Sequence, residues 1–311
     1  MPTTDTPLRY PGGKSQLVPF VVELMRENNL FYGEYAEPFA GGSGIAMSLL
    51  LSGFVDQVHI NDIDRAVYSF WHSVLNATDA LCVAVENIQV TIDEWHRQRD
   101  VLASAQTAAI DKLGFATLFL NRTNRSGILT GGVIGGRGQT GTYKLDCRFN
   151  KIDLIRKIRR IASYKAQIHL SNLDALAFID AINSKPHENM LVNIDPPYFK
   201  RGKELYTSFY RPDDHAALAS AVIKLQPRWM VTYDDTPEIR NLYSACPTFI
   251  YGLNYSAQDK RVGTELMVVD HRLQMPASIN ASLSRADESK KDVEAKKFAK
   301  GSHPLTVAAS R

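Results

Sequence analysis

From Glu34 to Ser52 the chain reads EYAEPFAGGSGIAMSLLLS. A short run with strand character enters a glycine-rich turn, after which Ile45, Leu49 and Leu50 recur at helical spacing, so the stretch predicts strand, turn and helix in succession. QVHINDID from Gln57 predicts a second strand ending in acids, and AVYSFWHSVL behind it carries aromatics at near-helical intervals. Further on, NMLVNID at 189–195 is apolar without alternation, as expected for a strand buried on both faces of a parallel sheet. It runs straight into Asp195-Pro196-Pro197-Tyr198. HAALASAVIKL then predicts an amphipathic helix, WMVTYD a strand, and TFIYGLNYSA with TELMVVDH a terminal hairpin on the same sheet. The alternation is that of an α/β domain.

Between about residues 70 and 165 the pattern changes. The stretches AVENIQVTIDEWHRQRDVL, KLGFATLFLNRT and KIDLIRKIRRIASY predict helices around a glycine-rich, mobile basic loop, GILTGGVIGGRGQTGTYK. Residues 1–69 and 166–275 are therefore expected to form one α/β domain and 70–165 a helical insertion. Residues 276–311, rich in Ser, Ala, Lys and Glu, are expected to be a disordered tail. A length of 311 residues suits such a two-part chain, and 44% hydrophobic with 22% charged residues excludes a wholly disordered protein. Cys82, Cys147 and Cys246 form no CxxC pair, which argues against a disulfide framework or structural zinc. No apolar run is long enough to span a membrane, and MPTTDTPLRYPGGK lacks the regions of a signal peptide; a cytoplasmic protein is expected.

The net charge of +3 hides a lopsided distribution. Asn121 to Arg160 holds ten Lys and Arg against Asp146 and Asp153, a net of +8, which leaves −5 for the remainder. Such a basic stretch can neutralise phosphates, while Asn and Arg side chains have the paired donors and acceptors that base edges require. A solvated helical face is the competing reading, above all for KIDLIRKIRRIASY, whose isoleucines can simply face a core.

Two constellations carry chemistry. Gly41, Gly42 and Gly44 close a strand-to-helix turn, and Asp62 follows about twenty residues later at the next strand end. A carboxylate there, Asp62 or its neighbour Asp64, can accept both hydroxyl hydrogens of a ribose. Alone, this turn fits NAD, FAD, another nucleotide, or nothing more than a tight bend. Asp195-Pro196-Pro197-Tyr198 is more telling, because prolines remove donors and stiffen the chain. The Asp195 carboxylate and the Pro196 carbonyl can then face outward as an acceptor pair for an exocyclic amine, with Tyr198 as a stacking platform. The plainer alternative is a strand that ends in Asp beside a core tyrosine.

Tyr10-Pro-Gly-Gly-Lys14, Glu37-Pro-Phe-Ala-Gly-Gly-Ser-Gly44, Asn61-Asp-Ile-Asp64 and Asp195-Pro-Pro-Tyr198, in that order, resemble the Dam-like DNA adenine-N6 methyltransferases. The resemblance runs from about residue 8 to residue 270. It implies a Rossmann-like, S-adenosylmethionine-dependent methyltransferase sheet with a helical target-recognition insertion, acting on adenine N6 in double-stranded DNA. Carried over by motif position, it implies cofactor contacts from Tyr10, Lys14, Glu37, Pro38, Phe39, Gly41, Gly42, Gly44, Asp62 and Asp195, and a catalytic role for Asp195, Pro196, Pro197 and Tyr198. Asp174 resembles the family's acid at the cofactor's adenine ring, although Ala175 stands where the family often has an aromatic; a helix-capping Asp is the alternative. The resemblance also implies DNA contacts from Arg9, Asn121, Arg122, Asn124 and Arg125, and the basic loop adds Arg137 and Lys144. A monomer is expected, with a cognate restriction endonuclease as a candidate partner and no metal.

Other classes fit less well. The eight histidines form no HExxH and no HxE…PCxxC arrangement, so His59, His169 and His215 are expected to be ordinary residues. Gly12-Gly13-Lys14-Ser15 lacks the first glycine of a P-loop, and Lys14 is better matched to a carboxylate or a backbone group. Cytosine N4 methylation, a catalytically silent DNA-binding regulator and an NAD-dependent oxidoreductase remain alternatives to adenine methylation.

Overall fold

The computed structural model describes residues 4–9, 14–200, 210–255, 261–277 and 283–285. Five parallel strands form most of its sheet: β1 (Glu34–Glu37), β2 (Gln57–Asn61), β3 (Ile168–Ser171), β4 (Met190–Ile194) and β5 (Arg228–Asp234). The terminal hairpin, β6 (Thr248–Tyr255) and β7 (Arg261–Val269), adds antiparallel strands, with β8 (Leu283–Arg285) at the edge. The strand order is β3-β2-β1-β4-β5-β7-β6-β8. The chain walks outward from β1 to β3 and then returns to the other side of β1. This reversal opens a crevice beyond the carboxyl ends of β1 and β4, where sheets of this kind bind ligands.

Alternate residues of β1, β4, β5 and β7 feed two separate cores. Tyr35, Leu191, Met230 and Met267 join the helices α1 (Val18–Glu27), α2 (Gly44–Leu51) and α3 (Arg65–Asn76) on one face. Ala36, Val192, Val231 and Leu266 join α8 (Ala175–Asn183), α9 (Pro212–Ile223) and α10 (Pro237–Leu242) on the other. Burial on both faces explains why β4 reads as an uninterrupted apolar run.

The helical segment comprises α4 (Thr78–Asn87), α5 (Ile92–Ala103), α6 (Ile110–Thr123) and α7 (Lys151–Ala162). The expected single helix over 84–102 breaks at 88–91, where Ile88 turns extended and Thr91 caps α5 by accepting from the Glu94 amide. The expected boundary at 69–70 falls inside α3, and residues of α3 to α7 share one continuous hydrophobic cluster with the sheet. Among the described residues no helix is long and apolar enough to cross a membrane.

Asn61, fully buried at the end of β2, fastens the crevice rim. Its Nδ2 donates to the carbonyls of Pro38 and Leu173, both at 3.0 Å, and its Oδ1 accepts from the Leu173 amide and the Ser171 hydroxyl, both at 2.8 Å. One side chain thus holds together the loops that follow β1, β2 and β3. Asn61→Ala is expected to cost about 2–4 kcal/mol, because it strands buried donors and acceptors without partners. Urea denaturation checks this, and a loss below about 0.5 kcal/mol would contradict it.

Candidate active site

The end of β4 delivers Asp195 to the crevice with its side chain 24% exposed. Its Oδ1 accepts from the Thr232 hydroxyl at 2.7 Å and faces the Lys14 ammonium at 3.0 Å. Oδ2 makes no hydrogen bond among the described residues. Pro196 and Pro197 are buried behind it, and Tyr198 is held by its hydroxyl, which donates to Glu265 Oε1 at 2.6 Å and accepts from Lys14 Nζ at 3.1 Å. Lys14 also lies 3.3 Å from Glu265 Oε2, which accepts from the Tyr251 hydroxyl at 2.6 Å. One buried cation therefore stands between two carboxylates, 5.1 Å from the centre of the Tyr198 ring.

Burial raises the Asp195 pKa, the Lys14 charge opposes the rise, and Glu265 adds to it. The Lys14 charge thus favours the ionised form of Asp195. Lys14 is thus matched to carboxylates, as the sequence suggested. Its ammonium is engaged with Asp195, Glu265 and the Tyr198 hydroxyl.

The glycine turn is built from inside. Gly41 takes a left-handed conformation at φ +46°, its amide donates to Asp62 Oδ2 at 2.8 Å, and its carbonyl accepts from the Trp71 indole at 3.0 Å. Gly44 is needed for packing: a Cβ there would stand 2.2 Å from the Ser15 hydroxyl. Gly42 lies buried between them. Glu37 is 5% exposed, and its carboxylate accepts from the Ser43 and Tyr35 hydroxyls and the Ala46 amide. Burial pushes its pKa up to about 7. Both of its oxygens are engaged in shaping the turn; Pro38 is likewise buried, with its carbonyl on Asn61.

Open functionality remains around this turn. Asp62 is half-buried, and each of its oxygens accepts one backbone amide, from Gly41 and Asp64, which leaves lone pairs for two further donors. Asp64 caps α3 by accepting from the Ala66 amide. Phe39 is half-exposed, edge-on to Tyr210 at 5.7 Å between ring centres, and Tyr210 feels the charge of Asp174. Asp174 is exposed and caps α8 through the Leu176 amide, the alternative weighed for it. Tyr10 lies outside the described residues.

The insertion sorts its polar residues differently from the sequence expectation. Asn121 is buried and makes three bonds to backbone, accepting from the Arg9 amide at 2.7 Å and donating to the carbonyls of Arg9 and Gly127 at 2.8 and 2.9 Å. Asn124 is also fully buried, accepting from the Trp95 indole and donating to the carbonyls of Ile128 and Leu129. Amides so engaged cannot meet base edges, which corrects both as DNA contacts. Arg125, Arg137 and Lys144 are exposed. The glycine-rich loop is pinned by Gln139, whose side chain bonds Ile134, Gly136 and Leu145 backbone, so it is a built loop and not an open glycine chain. The cations of α7 are held within the protein: Arg156 and Lys157 on Asp153, Arg159 on Asp79, Arg160 on Asp5, and Lys151 on the carbonyls of Glu86 and Ile88. That helix reads as structural, with Leu154, Ile158 and Ile161 in the core.

Glu265, Tyr251 and Thr232 belong to the site and carry no local sequence signature. His215 joins them from α9: it is 1% exposed, bonded through Nδ1 to the Tyr233 hydroxyl at 2.9 Å, and packed against Phe199 and Tyr210 on either side of the segment that follows Tyr198. Among the described residues no group of three His, Cys, Asp or Glu is placed to hold a metal ion.

Fold and site together define a Rossmann-like α/β enzyme with its chemistry at the carboxyl edge of the sheet. Residues 10–256 match the model of the D12 class N6 adenine-specific DNA methyltransferases, and the chain belongs to that family. Among solved structures, a Pyrococcus horikoshii protein provisionally described as an RNA methyltransferase is similar over 84% of each chain, at 9% identity and a TM-score of 0.38. No curated protein matches the sequence.

Replacing Lys14 by Met removes the charge that keeps Asp195 ionised, so the Asp195 carboxyl will protonate at a higher pH. The acidic limb of the pH profile for methyl transfer is expected to move upward. A limb that stays in place or moves down would show that Lys14 does not govern Asp195.

Proposed function

We propose that the chain binds S-adenosylmethionine in the crevice beside the glycine turn, extrudes an adenine from double-stranded DNA, and methylates its N6 amine against Asp195. The observation that carries this reading is the pairing at Asp195: Oδ1 is fixed by Thr232 and Lys14, Oδ2 makes no hydrogen bond among the described residues, and the side chain is 24% exposed. A carboxylate fixed on one side and open on the other is suited to accept a hydrogen from an amine. The Pro196 carbonyl, held by two buried prolines, accepts the second hydrogen, so the amine lone pair is aimed away from both. Tyr198, fixed by its hydroxyl on Glu265, offers its ring to the extruded base.

The cofactor supplies an electrophilic methyl carbon on a sulfonium. Asp62 would accept from the ribose hydroxyls, Phe39 and Asp174 would contact the adenine ring, and Gly41 and Gly42 would admit the ligand close to the backbone. The amine proton passes to solvent at the partly exposed Asp195. Holding the two reactants in line supplies most of the acceleration, because the carbon is already activated. Residues 70–165 act as the target-recognition module, with Arg9, Arg122, Arg125, Arg137 and Lys144 on the DNA side.

Asp195→Ala is expected to lower transfer of tritiated methyl groups to duplex DNA by at least about a thousandfold, while calorimetry still registers cofactor binding. Near-normal turnover in this variant would defeat the pocket. Tyr198→Ala is expected to reduce transfer severely, with a rise in KM for DNA.

A further inference from the structure

The guanidinium of Arg122 is an anomaly for an ordinary helix residue. It sits in the last turn of α6, is 9% exposed, and its Nε has no hydrogen-bond partner. Its surroundings are cationic. Arg9 and Arg148, both half-buried, bring two further guanidinium charges to bear on it. The acid that opposes them, Asp153, is already bridged by Arg156 and Lys157 at 2.6 and 3.0 Å. Among the described residues no carboxylate lies within ion-pairing distance of any of the three arginines.

This arrangement costs stability. A charge withdrawn from water without a partner is unfavourable, and like charges nearby add to that. Burial and the Arg9 charge lower the Arg122 pKa to about 10, and burial and Arg148 lower that of Arg9. The architecture nevertheless holds the group in place. Asn121 clamps the Arg9 backbone on both sides, and Gly127 lies so close to the Arg9 carbonyl that a Cβ would stand 1.9 Å from it.

We propose that Arg9, Arg122 and Arg148 form a preorganised anion pocket that takes one phosphate of the DNA backbone, an inference that rests on duplex DNA being the substrate. Guanidinium forks from three residues suit a group with several charged oxygens. A guanine edge offers two neutral acceptors and engages only one such fork, leaving the mutual repulsion in place. Arg9 is five residues from Lys14, so their Cα atoms lie at most about 18 Å apart, about five base-pair steps at 3.4 Å each. One duplex can therefore fill this pocket and present a base at Asp195. Arg148 precedes the Asn150 cap of α7 and was singled out by no motif; it contributes the third fork.

The test is the salt dependence of duplex binding by the full chain, followed by fluorescence anisotropy from 50 to 300 mM KCl with cofactor present. Arg148→Gln is expected to reduce the slope of log K against log salt by about 0.9 and to weaken binding about fivefold near 0.15 M, equally for all duplex sequences. Arg148→Lys is expected to keep the slope. Matching thermal melts for both variants exclude a folding defect, and inorganic phosphate is expected to compete with DNA more weakly in Arg148→Gln than in the unsubstituted chain. An unchanged slope in Arg148→Gln, with the unsubstituted chain still methylating adenine, overturns the pocket alone. So does a loss confined to one DNA sequence at constant slope, which would mean base reading, or a loss confined to cofactor affinity, which would mean that the pocket takes the cofactor's carboxylate. No salt-dependent duplex binding by the unsubstituted chain overturns the functional reading together with the pocket.

Discussion

A single buried ammonium organises this molecule's chemistry. Lys14 reaches from the N-terminal segment to Asp195 at the end of a parallel strand and to Glu265 on an antiparallel one. Burial and the Glu265 charge both disfavour the Asp195 anion, and the Lys14 cation opposes them. It also joins three parts of the chain that the sheet order alone would leave independent, and it sets the position of the Tyr198 hydroxyl through the same network.

Around that centre the crevice is fixed by buried polar contacts more than by surface charge. Asn61 ties three loops, Trp71 and Asp62 hold the glycine bend from either side, and Glu37 braces it from within. Each such contact has few alternatives in a dry interior, which makes the geometry stiff. The insertion follows the same logic: Asn121 and Asn124 hold the chain so that cationic side chains, freed from local partners, face outward or one another. Two of the cations of residues 121–160, Arg159 and Arg160, are paired with acids from elsewhere in the chain, Asp79 and Asp5.

The sheet, its carboxyl-edge crevice and the placement of Asp195 were legible because the signals are contiguous: an apolar run, then prolines, or a strand, then glycines. The hairpin strands were legible for the same reason. Glu265, Tyr251 and Thr232 were not, since each is a polar residue in an otherwise apolar strand, brought to the site by pairing across the sheet, and His215 arrives on the helix α9 without a motif. Asn121 and Asn124 misled because an amide that can read a base edge can equally satisfy buried backbone, and only burial distinguishes the two. The partners of the basic helix α7 were not legible because a charge count ignores them: Asp79 and Asp5, distant in sequence, lie against it. Arg148 went unnoticed because three converging arginines, from residues 9, 122 and 148, share no sequence neighbourhood.

The central claim is that an extruded adenine places its amine on the Asp195 carboxylate and the Pro196 carbonyl. A crystal structure of the full chain with a cofactor analogue and its duplex target tests this most directly. The account predicts the N6 atom within about 3 Å of both acceptors, with the base against the Tyr198 ring. A base lodged elsewhere, or one that leaves Asp195 facing solvent while the methyl donor is in place, would contradict it.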